Sequence, residues 1–112
     1  MNEELFDFGE ALRALKTGRR VYRMGWNGVQ KQGSQKGTKP PPNMYLFLLD
    51  GNKEVPKHVV NDPALKQVVD TEFKGDTFEA LPSIRMLTAD KKILTGWLAS
   101  QTDMLAEDWV IL

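Results

Sequence analysis

Apolar positions along this chain fall into distinct rhythms, and each rhythm predicts its own element. Between residues 5 and 15 the apolar side chains include Leu5, Phe8, Ala11, Leu12 and Leu15, the three-and-four spacing of one helical face. Gly18 follows Lys16 and Thr17 as the expected C-cap. Residues 20–24 alternate as a short strand that runs into Gly25-Trp26-Asn27-Gly28, where Asn-Gly is a strong turn dipeptide. Residues 44–49, Met-Tyr-Leu-Phe-Leu-Leu, make a continuous apolar run that predicts a buried strand, closed by a turn at Asp50-Gly51-Asn52. Residues 83–87 and 93–98 predict a hairpin around Ala89-Asp90-Lys91. Ser100 then caps a helical turn over 101–106, with Asp103 at N3 as the acid of a capping box, and residues 108–112 close as a strand.

Two stretches lack such rhythm. Residues 29–43 contain Gly33, Gly37 and Pro40-Pro41-Pro42 without periodicity and predict a loop with a stiff exit. In residues 53–80 the clearest signal is Asp62 followed by Pro63, the start of a short helix with Leu65, Val68 and Val69 inward, before a surface loop over 71–77. The order helix, strands, short helix, strand predicts an α+β fold: an N-terminal helix packed on a mostly antiparallel sheet. No repeats or heptads interrupt it. The chain reads as a single domain, 1–112, with insertions at 29–42 and 53–80.

Composition narrows the chemistry. At 112 residues, with 41% hydrophobic and 27% charged residues, the chain is long enough for one core. No apolar run approaches the roughly twenty residues that span a bilayer, so no membrane partner is expected. The acidic start, M-N-E-E-L-F-D-F-G-E, lacks the basic and apolar regions of a secretion signal, which predicts a cytoplasmic protein. With no cysteine and His58 as the one histidine, thiolate and histidine metal centres are excluded, leaving carboxylates alone. No metal and no cofactor are expected. Net charge is zero but uneven: Arg13, Lys16, Arg19, Arg20, Arg23, Lys31, Lys36 and Lys39 lie between Glu10 and Asp50 with no acid among them. A basic half on a neutral chain favours a small anionic ligand over long nucleic acid, although a solvated basic surface has the same composition.

Catalysis finds little support. His58 sits in P-K-H-V-V with no nucleophile elbow near it. Glu107 and Asp108 are adjacent, so on a strand they point to opposite faces and cannot act as a dyad. Neither a Walker loop nor a G-x-G-x-x-G phosphate cradle occurs. The segment from Trp97 to Trp109, W-L-A-S-Q-T-D-M-L-A-E-D-W, is more informative. It sets flat π surface beside the hydroxyls of Ser100 and Thr102 and the carboxylate of Asp103, with an apolar floor expected from Leu98, Met104 and Leu105. That combination suits a heterocyclic ligand such as a nucleotide base. The helix start after Ser100 offers N–H groups to an anion, unless Ser100 and Asp103 are spent capping their own helix.

Trp26 in R-M-G-W-N-G carries the same ambiguity. It can plug the core, or stack on a base while Gly25 and Gly28 bring the backbone close, Asn27 reads a base edge or ribose and Arg23 meets phosphate. Trp109 and Phe8 are assigned to the core. Few aromatics and no net positive charge argue against single-stranded nucleic acid.

Four blocks, F-G-E-A-L at 8–12, R-x-G-W-N-G at 23–28, M-Y-L at 44–46 and the 97–109 segment, resemble the second family of Thoeris anti-defence proteins, small phage and prophage domains. The resemblance implies a non-enzymatic sponge, acting in the cytoplasm of the infected host, that sequesters a cyclic ADP-ribose signal without cleaving it. It also implies homo-oligomers, typically tetramers, with pockets between subunits, and in some members uptake of the cyclic oligonucleotides of CBASS. By motif, the ligand contacts fall at Trp26 and Asn27 in one block and at Trp97, Ser100, Thr102 and Asp103 in the other, beside Arg23. The two insertions depart from the compact family pattern, and Lys31, Lys36 and Lys39 in the first are expected to serve the additional phosphates of a larger cyclic dinucleotide. The alternatives are a cyclic-nucleotide hydrolase with Asp103 as general base, and a structural or protein-interaction module with both tryptophans in the core.

Overall fold

A computed structural model describes residues 4–26 and 42–112. In chain order its elements are α1 (Phe8–Lys16), β1 (Val21–Arg23), β2 (Tyr45–Leu49), β3 (Asn52–Pro56), a 3₁₀ turn (Lys57–Val59), α2 (Pro63–Glu72), β4 (Thr77–Ala80), β5 (Ser83–Leu87), β6 (Ile93–Thr95), α3 (Gln101–Leu105) and β7 (Trp109–Ile111). The fold is α+β, as the patterning predicts. It divides into two compact units, one made of Met1–Leu49 with Ser83–Leu112, the other of Asp50–Pro82.

The first unit holds a five-stranded sheet in the order β6-β5-β2-β1-β7, with every pairing antiparallel. Helix α1 starts where the Asp7 side chain accepts the Glu10 N–H at 2.8 Å and ends before Gly18, whose φ of +91° is left-handed. Its apolar stripe buries Ala11, Ala14 and Leu15. These join Val21, Leu46, Met86 and Trp109 in one core. The register explains the match: Val21 faces Leu46 and Ile111, Leu46 faces Met86, and Arg23 faces Trp109, so all of these share one side of the sheet. Tyr22 and Val110, the alternating residues, are buried on the other side with Met24, Met44, Tyr45 and Leu112 against them. There the Arg20 guanidinium lies 5.0 Å from the centre of the Tyr45 ring.

The second unit pairs β3 with β4 around Val55↔Phe78. Helix α2 begins as predicted, with the Asp62 side chain accepting the Leu65 N–H at 2.9 Å and Pro63 in the first turn. Its inward face is narrower than expected. Val69 is buried, but Leu65 and Val68 are 43% and 52% exposed. The loop expected over 71–77 is instead the end of α2, a short link and the start of β4.

Two further boundaries differ. The strand expected over 93–98 stops at Thr95, where Gly96 turns the chain at φ +77°. The buried strand at 44–49 has only Leu46 fully enclosed, as β2 is central in the sheet but neither face is covered along its whole length. Among the described residues no helix is long and apolar enough to cross a membrane.

Candidate functional site

Antiparallel pairing of β1 with β7 brings the two sequence blocks together. Arg23 lies opposite Trp109, and the Met24 N–H donates to the Asp108 carbonyl at 3.1 Å. Trp26, three residues past Arg23, therefore arrives over Trp109. The Trp26 and Trp109 ring centres are 5.4 Å apart at 81°, an edge-to-face contact. Trp97 reaches the same place from the end of β6, held by its N–H donating to the Ile84 carbonyl at 2.8 Å. Its ring is 6.4 Å from Trp109 and 6.2 Å from Trp26. Trp109 is fully buried and further braced by Phe8 at 5.3 Å, whereas Trp26 and Trp97 are only half-buried. The result is a fixed indole with two others resting edgewise on it, each with part of its surface open.

Charge organises the rim. The Arg23 Nε donates to Asp108 Oδ1 at 2.8 Å and its NH1 to Asp103 Oδ1 at 2.9 Å. Asp103 Oδ1 also accepts the Trp26 indole N–H at 3.0 Å, and Asp103 Oδ2 accepts the Ser100 N–H at 3.2 Å. Asp108 Oδ2 accepts the Gly25 N–H at 2.7 Å. Arg23 and Asp103 side chains are each 13% exposed. Donating hydrogen bonds to Asp108 raises the pKa of the Arg23 guanidinium above its ordinary value, against its partial burial and with help from Asp103. Burial pushes the Asp103 carboxyl up, but the hydrogen bonds from Trp26, Arg23 and Ser100 outweigh it and hold the group below its usual range. Asp108 follows the same pattern, with Arg23 and the Gly25 N–H overcoming its desolvation.

Several residues read from sequence thus meet here: Arg23, Trp26, Trp97, Ser100 and Asp103. Their contacts are more interlocked than the motif suggests. Arg23 contacts carboxylates, and Asp103 has both oxygens engaged. The capping box is formed, with Ser100 Oγ accepting the Asp103 N–H at 3.1 Å, so α3 satisfies its own first turn. Thr102 is exposed on α3. Asn27, with Lys31, Lys36 and Lys39, lies outside the described residues.

The apolar floor expected from Leu98, Met104 and Leu105 is not one. These side chains are 89%, 39% and 77% exposed, and Trp109 forms the floor instead, with its indole N–H bonded to the Asp103 carbonyl at 3.0 Å. In the sequence Asp108 shows only as a neighbour of Glu107 that cannot form a dyad with it, yet as a single carboxylate it ties the start of β7 to the Gly25-Trp26 segment. The register Arg23↔Trp109 is the signal that exposes it. Among the described residues no cluster of three or more His, Asp or Glu is gathered to hold a metal ion.

Residues 6–112 match the family model of the Thoeris anti-defense 2-like domain. The chain belongs to this family. It is also 35% identical over 111 residues to Thoeris anti-defense 2 of Bacillus phage SP01, covering 94% of this chain and 92% of that relative. The Thoeris anti-defence 2 assignment covers almost the whole sequence, including both blocks that build the tryptophan cluster. It makes anti-defence the broad role of the chain.

Proposed function

We propose that this chain counters defence by capturing a cyclic nucleotide signal, of the glycocyclic ADP-ribose type, and holding it intact. The observation that carries the reading is the tryptophan cluster: two partly open indoles pinned against a buried third, beside an ionic rim, in a member of an anti-defence family. Trp26 and Trp97 supply stacking surface for adenine, Ser100 and Thr102 supply hydroxyls for ribose or phosphate, and Arg23 and Asp103 contribute charge and shape. Asn27 is a further contact by family motif, and Lys31, Lys36 and Lys39 would serve a ligand with additional phosphates. Stacking of one base on one aromatic ring contributes about 1–3 kcal/mol. A nanomolar complex needs roughly 12 kcal/mol, so several contacts must act together.

Binding without turnover fits Asp103 better than hydrolysis does. A carboxylate held below its usual range by three donors is a weak general base, and the second carboxylate of the network, Asp108, is held below its range in the same way. Assembly into homo-oligomers, tetramers by family resemblance, belongs to the same proposal. Leu98 and Leu105 are apolar, largely exposed and flank the site, and association would cover them.

Calorimetric titration with glycocyclic ADP-ribose, followed by heating and chromatography of the released ligand, tests the reading. Tight binding with intact ligand recovered is the expected outcome; a cleaved product would make the chain an enzyme. Trp26→Ala or Trp97→Ala is expected to lose capture, and a folded variant that binds fully would remove that ring from the site.

A further inference from the structure

One carboxylate holds the chain at two points just before Trp26. Asp108 Oδ1 accepts from Arg23 Nε, two residues before Gly25, and Asp108 Oδ2 accepts the N–H of Gly25 itself, next to the tryptophan. The guanidinium so fixed passes its NH1 to Asp103 Oδ1, and that oxygen also receives the Trp26 indole N–H. The backbone of Trp26 is therefore set through Gly25 and its ring through Arg23 and Asp103, with Asp108 at the origin of both chains of contacts. Gly25 itself is explained by this arrangement. A Cβ there would lie 2.8 Å from Asp108 Oδ2 and 3.2 Å from the Arg23 NH2, so only glycine lets the carboxylate approach the backbone.

We propose that Asp108 is a positioning residue for the ligand site, fixing the angle at which the Trp26 ring is presented. This rests on the reading of Trp26 as a stacking surface. Asp108 need not touch the ligand. Its effect is to hold the ring in its binding orientation before the ligand arrives, so that ordering it is not charged against affinity.

The chemistry singles out one substitution. Asp108 faces a donor on each oxygen, and an amide has a single acceptor. Asp108→Asn therefore sets its NH2 against either the Arg23 Nε–H or the Gly25 N–H, at nearly unchanged size. The chain's three tryptophans are all in the cluster, so near-ultraviolet circular dichroism reports their mutual geometry with no background from tryptophans elsewhere.

The experiment compares the full chain with Asp108→Asn, with Gly25→Ala, and with Glu107→Gln, which removes a neighbouring exposed carboxylate outside the network. Each is followed by far- and near-ultraviolet dichroism and by titration with glycocyclic ADP-ribose. For Asp108→Asn the expected result is retained secondary structure, an altered tryptophan signal and roughly tenfold or weaker affinity. Glu107→Gln is expected to match the parent in all three. Gly25→Ala leaves every charge in place and is expected to reproduce Asp108→Asn; it decides the matter if Asp108→Asn does not fold. A folded Asp108→Asn with parental tryptophan signal and affinity overturns the proposal. If the parent itself takes up no ligand, the stacking reading fails separately, and an unchanged tryptophan signal in both variants overturns the hold of Asp108 on Trp26.

Discussion

Removing the Asp103 side chain is the sharpest test of how the site is held together. Asp103→Ala deletes the acceptor of Arg23 NH1, of the Trp26 indole N–H and of the Ser100 N–H in one step. The charge-assisted bond to Arg23 contributes about 1.5–3 kcal/mol, in keeping with two side chains that are each 13% exposed. Loss of one half of the capping box adds roughly 0.5–1 kcal/mol. The indole N–H adds little, since water reaches a half-buried ring. Arg23 keeps its bond to Asp108, which spares it the full cost of an unpaired charge. The sum is about 3 kcal/mol, and for a chain of this length that lowers Tm by roughly 12 °C. Scanning calorimetry at neutral pH reads it directly. Adding salt should change the difference little, because the pair is shielded, unlike the exposed Arg13–Glu10 pair on α1. A Tm within about 3 °C of the parent would show that the network is decorative and that packing around Trp109 alone fixes the site.

Further outcomes follow from other parts of the structure. Asp7→Ala removes the N-cap of α1 and should cost about 1 kcal/mol, while leaving tryptophan dichroism and ligand capture unchanged. In acid, the depressed Asp103 and Asp108 groups contribute stability that is complete above their ordinary value of 3.8 and is lost as pH falls through their lower folded values. A melting series should therefore stay level in its Asp103 and Asp108 contribution down to that point, and Asp103→Asn with Asp108→Asn together should flatten the acid limb below it. Replacing residues 50–82 by Asn-Gly should leave the tryptophan cluster assembled, because Leu49 and Ser83 already face each other across β2 and β5. Near-ultraviolet dichroism of the shortened chain checks this, and its loss would mean that the Asp50–Pro82 unit is needed for the first unit to fold.

What could be read from sequence was whatever depends on near neighbours. Helix α1 announces itself by spacing, Asp62-Pro63 by its cap, and α3 by Ser100 and Asp103, since each signal spans only a few residues. Covering was harder to read. Leu65, Val68, Leu98 and Leu105 are apolar but exposed, because hydrophobicity says that a side chain gains from burial, not that a neighbour is there to bury it. The strands β3 and β4 carry mixed polar and apolar residues and gave no period to detect. At the site, sequence pointed to the tryptophans and to Arg23 and Asp103 but not to their mutual bonding. Arg23 and Asp108 are 85 positions apart, and only the register of β1 against β7 makes them neighbours.

That register also sets the order of events in folding. Strand β7 follows every other strand in the sequence, yet it pairs with β1 and supplies the indole on which the other two rest. Contacts of such long sequence separation close late and slowly, since the loop entropy must be met before the pairing repays it. During synthesis α1 and β1 emerge before the other strands of the sheet and wait, without β7, until residues 109–111 have been made. The cluster is thus absent from incomplete chains, and a product that stops before Asp108 has neither the hub nor the carboxylate that orients its neighbours.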